Sequence, residues 1–373
     1  MLERLDSHVR PPGFRVNVNT ESFPEHRRSP PDLRRAYSFA RGIAKVQPDV
    51  LGGQAGHRLF WVKGAALGSS LLLSHADSFV VVGRHTQCGI VLPDDPFVAL
   101  RHLLVRSIAL PSGAAAVRVL DLHTDLGFVL ADGSRQTSIF AEGPIAIGVG
   151  DYALIGLPTE SHDDQLPNEL PRPQIDTPAA ARDRIAAMES AMSPLGSFPM
   201  GTGGPMYSWG QDGGPMYSWG QDGGPYRANA RRDMNRTSRI TLMPRLVMMG
   251  EPLPPRLGRL TSGGKWAITL EREGRSATMS VSDEDLTGGV LIGRSEKCCS
   301  ETLRRITDSN TSRVHVLLLR EGEQVFAYDL ASTQGTYRDD QPARRSPLVD
   351  AGTLLTLGRG DKAVRMFWHR IAE

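Results

Sequence analysis

The sequence predicts an all-β chain: two β-sandwich domains joined by a long, Gly/Pro-rich, largely disordered linker. Three observations carry that prediction. Short apolar runs recur in two separate stretches, with turn residues about every ten positions. The interval between them is rich in Pro, Gly and Ser. The two β stretches also share a set of landmarks in the same order.

Taken along the chain, residues 1–55 read as a polar tail broken by RPPGF and SPPDLRRAY. Within it, Leu33, Tyr37, Ala40 and Ala44 fall near one helical face, and Pro31 suits a first turn, so a short helix over 31–45 competes with a partly ordered tail. The tail is the preferred reading, because its flanks are polar. Residues 56–160 form the first β stretch, with LFWVKG, FVVVGR, LLVRSIAL, AVRVLDL and YALIGL as strands. Residues 161–255 are the linker. A helix capped by Asp176 or Thr177 fits 176–192, and GGPMYSWGQD at 203–212 repeats without change at 213–222. Such a repeat has too little apolar mass to bury a core, and reads as a spacer before it reads as a Tyr/Trp docking site. Residues 256–373 return to β texture, with KWAITLE, GGVLIGR, HVLLLR, VFAYDL and TLLTLG.

Composition narrows the function. The 373 residues carry 43 basic and 41 acidic side chains, a net charge of +2, which speaks against nucleic-acid binding driven by bulk charge. The three cysteines, Cys88, Cys298 and Cys299, form no CxxC pair and no even set for a disulfide framework. A reducing, cytoplasmic location is expected. No apolar run is long enough to span a membrane, and MLERLDSHVRPPGF lacks the apolar core of a secretory signal, so no membrane partner is expected. No P-loop, HExxH, GxSxG or kinase motif set occurs, so the chain reads as a non-enzyme without cofactor or metal. His85 and His102 near Cys88 fit no zinc spacing.

The landmarks then align. Gly83-Arg84 and Gly293-Arg294 each end a strand, with Cys88 and Cys298 four residues beyond the arginine. His102 and His315 each precede a strand; Asp121-Leu122 and Asp329-Leu330 each close one, with Gly127 and Gly335 six residues after the aspartate. Gly150 and Gly156 are spaced like Gly352 and Gly358. An internal duplication is the simplest account.

In the C-terminal copy three pieces follow one another: Gly293-Arg294, then Ser312-Arg313-Val314-His315, then DLASTQGT from Asp329 to Thr336. This series resembles the forkhead-associated (FHA) domain pattern. The resemblance implies a two-sheet sandwich whose loops at one end bind phosphothreonine peptides, with Arg294, Ser312, Arg313, Thr333 and Gln334 as the binding residues. The residue types suit a phosphate dianion, which needs a guanidinium fork and hydroxyl donors on a rigid frame. Gly293, His315, Asp329, Gly335 and Thr336 read as structural, the glycines for backbone geometry and His315 as a buried prop. The family pattern has Asn where this chain has Gln334. Gln keeps the amide but adds a methylene, which changes the geometry and raises the entropy cost. Arg304 and Arg305 read as solvated charge or as a preference for acidic residues near the phosphosite.

The N-terminal copy is degenerate. Arg84 and His102 remain, but Ala99 and Leu100 stand at the serine and arginine positions, and Asp125 and Leu126 at those of Thr333 and Gln334. An aspartate there repels phosphate. The expected function is a phosphothreonine-binding adaptor working with Ser/Thr kinases through its C-terminal copy. A phosphate-independent assembly scaffold is the alternative. Self-association through a phosphorylated Thr177, Thr237 or Thr241 of the linker is a further expectation, since a flexible tether keeps such a ligand concentrated near the pocket.

Overall fold

The structure, a computed structural model, describes residues 30–46, 56–159, 166–175 and 264–371, apart from 65, 74–77, 111, 113, 299, 300 and 308. The tandem repeat, the helix read over 176–192, and Thr177, Thr237 and Thr241 lie outside the described residues.

The described chain is all-β with three short helices. The first sandwich contains β1 (His57–Lys63), β2 (Ala66–Leu73), β3 (Phe79–Gly83), β4 (Ile90–Val91), β5 (Leu103–Ala109), β6 (Ala115–Asp121), β7 (Phe128–Val129), β8 (Arg135–Gln136), β9 (Ser138–Ala141), β10 (Ile145–Val149), β11 (Tyr152–Pro158) and β12 (Gln174–Ile175). One sheet has the order β2-β1-β11-β10-β7-β8, the other β12-β9-β6-β5-β3-β4. The second sandwich contains β13 (Trp266–Arg272), β14 (Arg275–Val281), β15 (Val290–Ile292), β16 (Val316–Glu321), β17 (Gln324–Asp329), β18 (Thr336–Arg338), β19 (Gln341–Pro342), β20 (Arg345–Leu348), β21 (Thr353–Leu357) and β22 (Val364–Arg370). Its sheets run β14-β13-β22-β21-β18-β19 and β15-β16-β17-β20.

The two strand orders match element for element; the first sandwich adds only β4 and β12. The register matches as well. Val82 pairs Leu103, which pairs Asp121; Ile292 pairs Val316, which pairs Asp329. Each sandwich has its own apolar core between its sheets, around Val105, Ile139 and Leu154 in one and Leu318, Leu355 and Met366 in the other.

Helix α1 (Leu33–Val46) is packed, not a loose tail. Asp32 accepts a hydrogen bond from the Arg35 amide at 3.0 Å, so it caps the helix and the first turn starts two residues later than the Pro31 expectation. Leu33, Ala36, Tyr37, Ala40 and Ala44 lie on the outer face of β10 and β11, against Ala146, Ala153, Ile155 and Leu157. Small residues on both sides let the helix approach closely, and the Tyr37 hydroxyl donates to the Pro167 carbonyl at 2.8 Å. This packing explains why every residue of β11 is buried.

β6 is buried along its whole length for a different reason: the second sandwich covers its outer face. Val81, Cys88, Leu104, Leu120 and Leu122 meet Leu291, Cys298, Leu317, Tyr328 and Leu330 in one apolar cluster. These are the same landmark positions in each copy, so the interface is nearly self-complementary, as across a two-fold axis. Phe79 meets Tyr328 edge-to-face, with ring centroids 4.9 Å apart. Short helix α2 (Asp283–Gly288) supplies the Thr287 carbonyl that accepts from Arg118 at 3.0 Å, and Arg106 pairs with Glu321 at 2.7 Å.

Candidate functional site

The FHA-like loops of the second sandwich are built around His315. Its Nδ1 accepts from the Ser312 amide at 3.1 Å, and its Nε2 bonds the Gly335 carbonyl at 3.1 Å. An Nδ1 that accepts cannot carry a proton, so Nε2–H is the donor and the ring is neutral. Burial dominates in holding its pKa below the ordinary value, against the pull of Asp329. The imidazole thereby ties the loop before β16 to the turn between β17 and β18.

Asp329 organises that turn. It accepts from the Ser332 amide at 2.9 Å, the Ser332 hydroxyl at 2.6 Å and the Thr336 hydroxyl at 2.7 Å. Ala331 is held at φ 53° and Gly335 at φ 77°. The left-handed region suits glycine and strains alanine. Thr333 and Gln334 stand exposed on the crest of the turn, and the Thr333 amide donates to the Ser312 hydroxyl at 2.9 Å.

The third loop leaves β15 at Gly293. A Cβ there would lie 2.3 Å from the Arg313 carbonyl oxygen, so only glycine allows the two loops to meet. The Arg294 amide donates to Ser312 O at 3.2 Å and the Ser295 amide to Arg313 O at 3.0 Å. Arg294 Nε donates to Thr311 O at 3.0 Å, which orients the guanidinium and leaves its terminal nitrogens without a partner among the described residues. The structure thus brings Arg294, Ser312, Arg313, Thr333 and Gln334 to one end of the sandwich. Arg313 enters through its carbonyl, and its half-buried side chain makes no bond among the described residues. Arg305, in the turn after helix α3 (Glu301–Arg304), is engaged with Glu301 at 2.9 Å and is exposed.

One further cation stands at this rim. The Gly358 amide donates to Gly335 O at 2.9 Å, and Arg359 lies over the Tyr337 ring at 4.7 Å. The sequence marked Gly358 as a landmark, but nothing in the pattern pointed to its neighbour.

The first sandwich repeats the frame without the donors. His102 Nδ1 accepts from the Ala99 amide at 3.0 Å and its Nε2 bonds Gly127 O at 2.8 Å; Thr124 bonds Asp121; Arg84 Nε donates to Val98 O. His123 takes φ 56°, like Ala331. No hydroxyl stands at Ala99, and the Asp125 carboxylate is occupied by Lys297 of the second sandwich at 2.5 Å. Cys88 and Cys298 are buried and free, and donate to Leu100 O and Arg313 O. Burial pushes their thiols up to about 11 and about 12, so both stay protonated at neutral pH.

Burial also pushes His57 and His102 down to about 4 from an ordinary 6.5. Between those values the unfolded chain takes up protons that the folded one refuses. Stability is therefore full above about pH 7 and falls as the pH drops through 6.5 towards 4. Each histidine is expected to cost about 2 kcal/mol at pH 5. Denaturant unfolding at pH 7.5 and pH 5 checks this; equal midpoints would contradict it.

Residues 290–358 match the family model described as the FHA domain. The match opens at β15 and closes at Gly358, so it contains all three loops. Among solved structures, the FHA domain of a Chlamydia trachomatis protein is 17% identical, with 28% of this chain and 97% of that one covered and a TM-score of 0.24. An FHA domain of a Mycobacterium tuberculosis protein is 20% identical, covering 28% and 98%, with a TM-score of 0.22. The FHA domain of an Arabidopsis thaliana hypothetical protein is 25% identical, covering 33% and 92%, with a TM-score of 0.23. No curated protein matches the chain.

Proposed function

We propose that this chain, whose residues 290–358 match the FHA domain family, is a non-catalytic adaptor that binds phosphothreonine peptides through its second sandwich. The observation that carries the reading is the Ser312 hydroxyl. It accepts the Thr333 amide, so its own hydrogen points away from the turn and is available to a phosphate oxygen. Arg294, oriented through Nε, presents its terminal nitrogens for a fork to the same dianion. Thr333 and Gln334, exposed on the crest, supply a hydroxyl and an amide for the phosphothreonine and its flanking backbone. The partner is then a phosphothreonine protein, such as a Ser/Thr kinase or its substrate. The free thiols fit a reducing, cytoplasmic setting.

A phosphate-independent scaffold is the second reading, favoured by the degenerate first site and the apolar contact between the copies. Phosphatase treatment separates the two. Partner retention by the immobilised full chain is expected to vanish after dephosphorylation and in Ser312→Ala. Retention unaffected by phosphatase favours the scaffold.

A further inference from the structure

The first sandwich lacks a phosphate site of its own, yet its loops touch the recognition loops of the second. Arg101, 7% exposed, reaches across the interface. Its Nε donates to Leu330 O at 2.6 Å and to Ala331 O at 3.0 Å, and its Nη2 also bonds Ala331 O. Gln87, with its amide nitrogen turned to the carbonyls, donates to Ala331 O at 3.3 Å and Ser332 O at 3.1 Å. The contact is echoed in the opposite sense. His123 Nδ1 bonds Lys297 O at 3.0 Å, and Lys297 bonds Asp125. Gln87 and Lys297 hold the same position in the two copies, as do Ala331 and His123.

Those carbonyls belong to the turn that carries Thr333 and Gln334. Ala331 sits in the left-handed region, where a Cβ is strained and the backbone relaxes elsewhere unless held. Three donated bonds to its carbonyl hold it, two from Arg101 and one from Gln87, and all come from the other sandwich. The arginine is itself fixed. A Cβ on Gly83 would lie 2.9 Å from the Arg101 Cα, so the strand end and the arginine backbone are in close contact.

We infer that Arg101, seconded by Gln87, is a positioning residue for phosphopeptide binding: the degenerate sandwich braces the 330–332 turn of the second one so that Thr333 and Gln334 are held in place before the ligand arrives. The duplication has then divided the work, one copy contacting phosphate and the other pre-ordering the turn that contacts it. This inference rests on the reading given under Proposed function.

The test uses the full chain and a degenerate phosphothreonine peptide pool, with affinity and amide hydrogen exchange at 332–334 as parallel readouts. Arg101→Ala is expected to weaken binding about tenfold and to speed exchange at those amides by a similar factor. Arg101→Lys keeps the charge but loses the fork and is expected to recover less than half of the lost affinity on a logarithmic scale. Ala331→Gly added to Arg101→Ala is expected to restore affinity to within about threefold, because glycine adopts positive φ without strain. Denaturant unfolding of each variant separates this from a general loss of stability, because glycine at 331 also relieves strain in the folded chain. If Arg101→Ala fails to fold, Gln87→Ala replaces it, with about a threefold loss expected. Affinity within twofold of the parent together with unchanged exchange in the variant used overturns the brace. If the parent chain binds no peptide in a phosphate-dependent way, the functional reading falls, and the exchange data alone decide whether the brace exists.

Discussion

Arg294→Ala is expected to weaken phosphothreonine-peptide binding by about 30- to 100-fold, or about 2–3 kcal/mol, the scale of a charge-assisted pair of hydrogen bonds. The cause is local. Nε anchors the guanidinium on Thr311 O, so the fork is aimed before the ligand arrives. Alanine removes both the charge and the aim. Arg294→Lys retains a point charge without the Nε anchor and is expected to fall between the two. Neither change should move the unfolding midpoint by more than a few tenths of a kcal/mol, since Arg294 is exposed. Calorimetry on the full chain reads the affinity, and a loss under threefold would contradict the assignment.

Glu321→Ala is expected to cost about 3–5 kcal/mol and to part the two sandwiches. Glu321 is the acid at a crowded basic junction: it pairs with Arg106 of the first sandwich at 2.7 Å and with Arg345 of its own at 2.8 Å. Arg118, also buried, is brought down to about 10 by burial, against the opposing influence of Glu321. Removing the carboxylate leaves the buried Arg106 and Arg118, and the partly exposed Arg345, without that counter-charge. Denaturant unfolding should show the lower midpoint, and small-angle scattering a larger radius of gyration. A midpoint within about 1 kcal/mol of the parent would show that the junction is solvated.

Much of this was legible in the sequence, and the limits have physical causes. The paired glycines, histidines and aspartates marked the duplication because each answers a backbone requirement that recurs wherever the turn recurs. A Cβ added at Gly293 or Gly83 would lie 2.3 or 2.4 Å from a carbonyl oxygen, and His315 and His102 each span the same pair of loops. The contact between the copies was not legible. AVRVLDL reads as a strand, but its unbroken burial means that both faces are covered, a feature of layered sheets. Arg106 and Arg118 lie inside these runs, and their partners lie roughly 170 to 215 residues further along the chain, beyond any local pattern. The packed helix over 33–46 was displaced by its polar flanks, although its Ala and Tyr spacing was in view. Arg101 stands where the other copy has Val314, and its partner carbonyls in another sandwich leave no trace in sequence.

The most direct test of the central claim is calorimetry of the full chain against a degenerate phosphothreonine peptide pool and its unphosphorylated twin. The account predicts saturable binding to the phosphorylated pool alone, absent in Arg294→Ala. Equal binding to both pools, or to neither, would contradict it and leave the paired sandwiches as a scaffold.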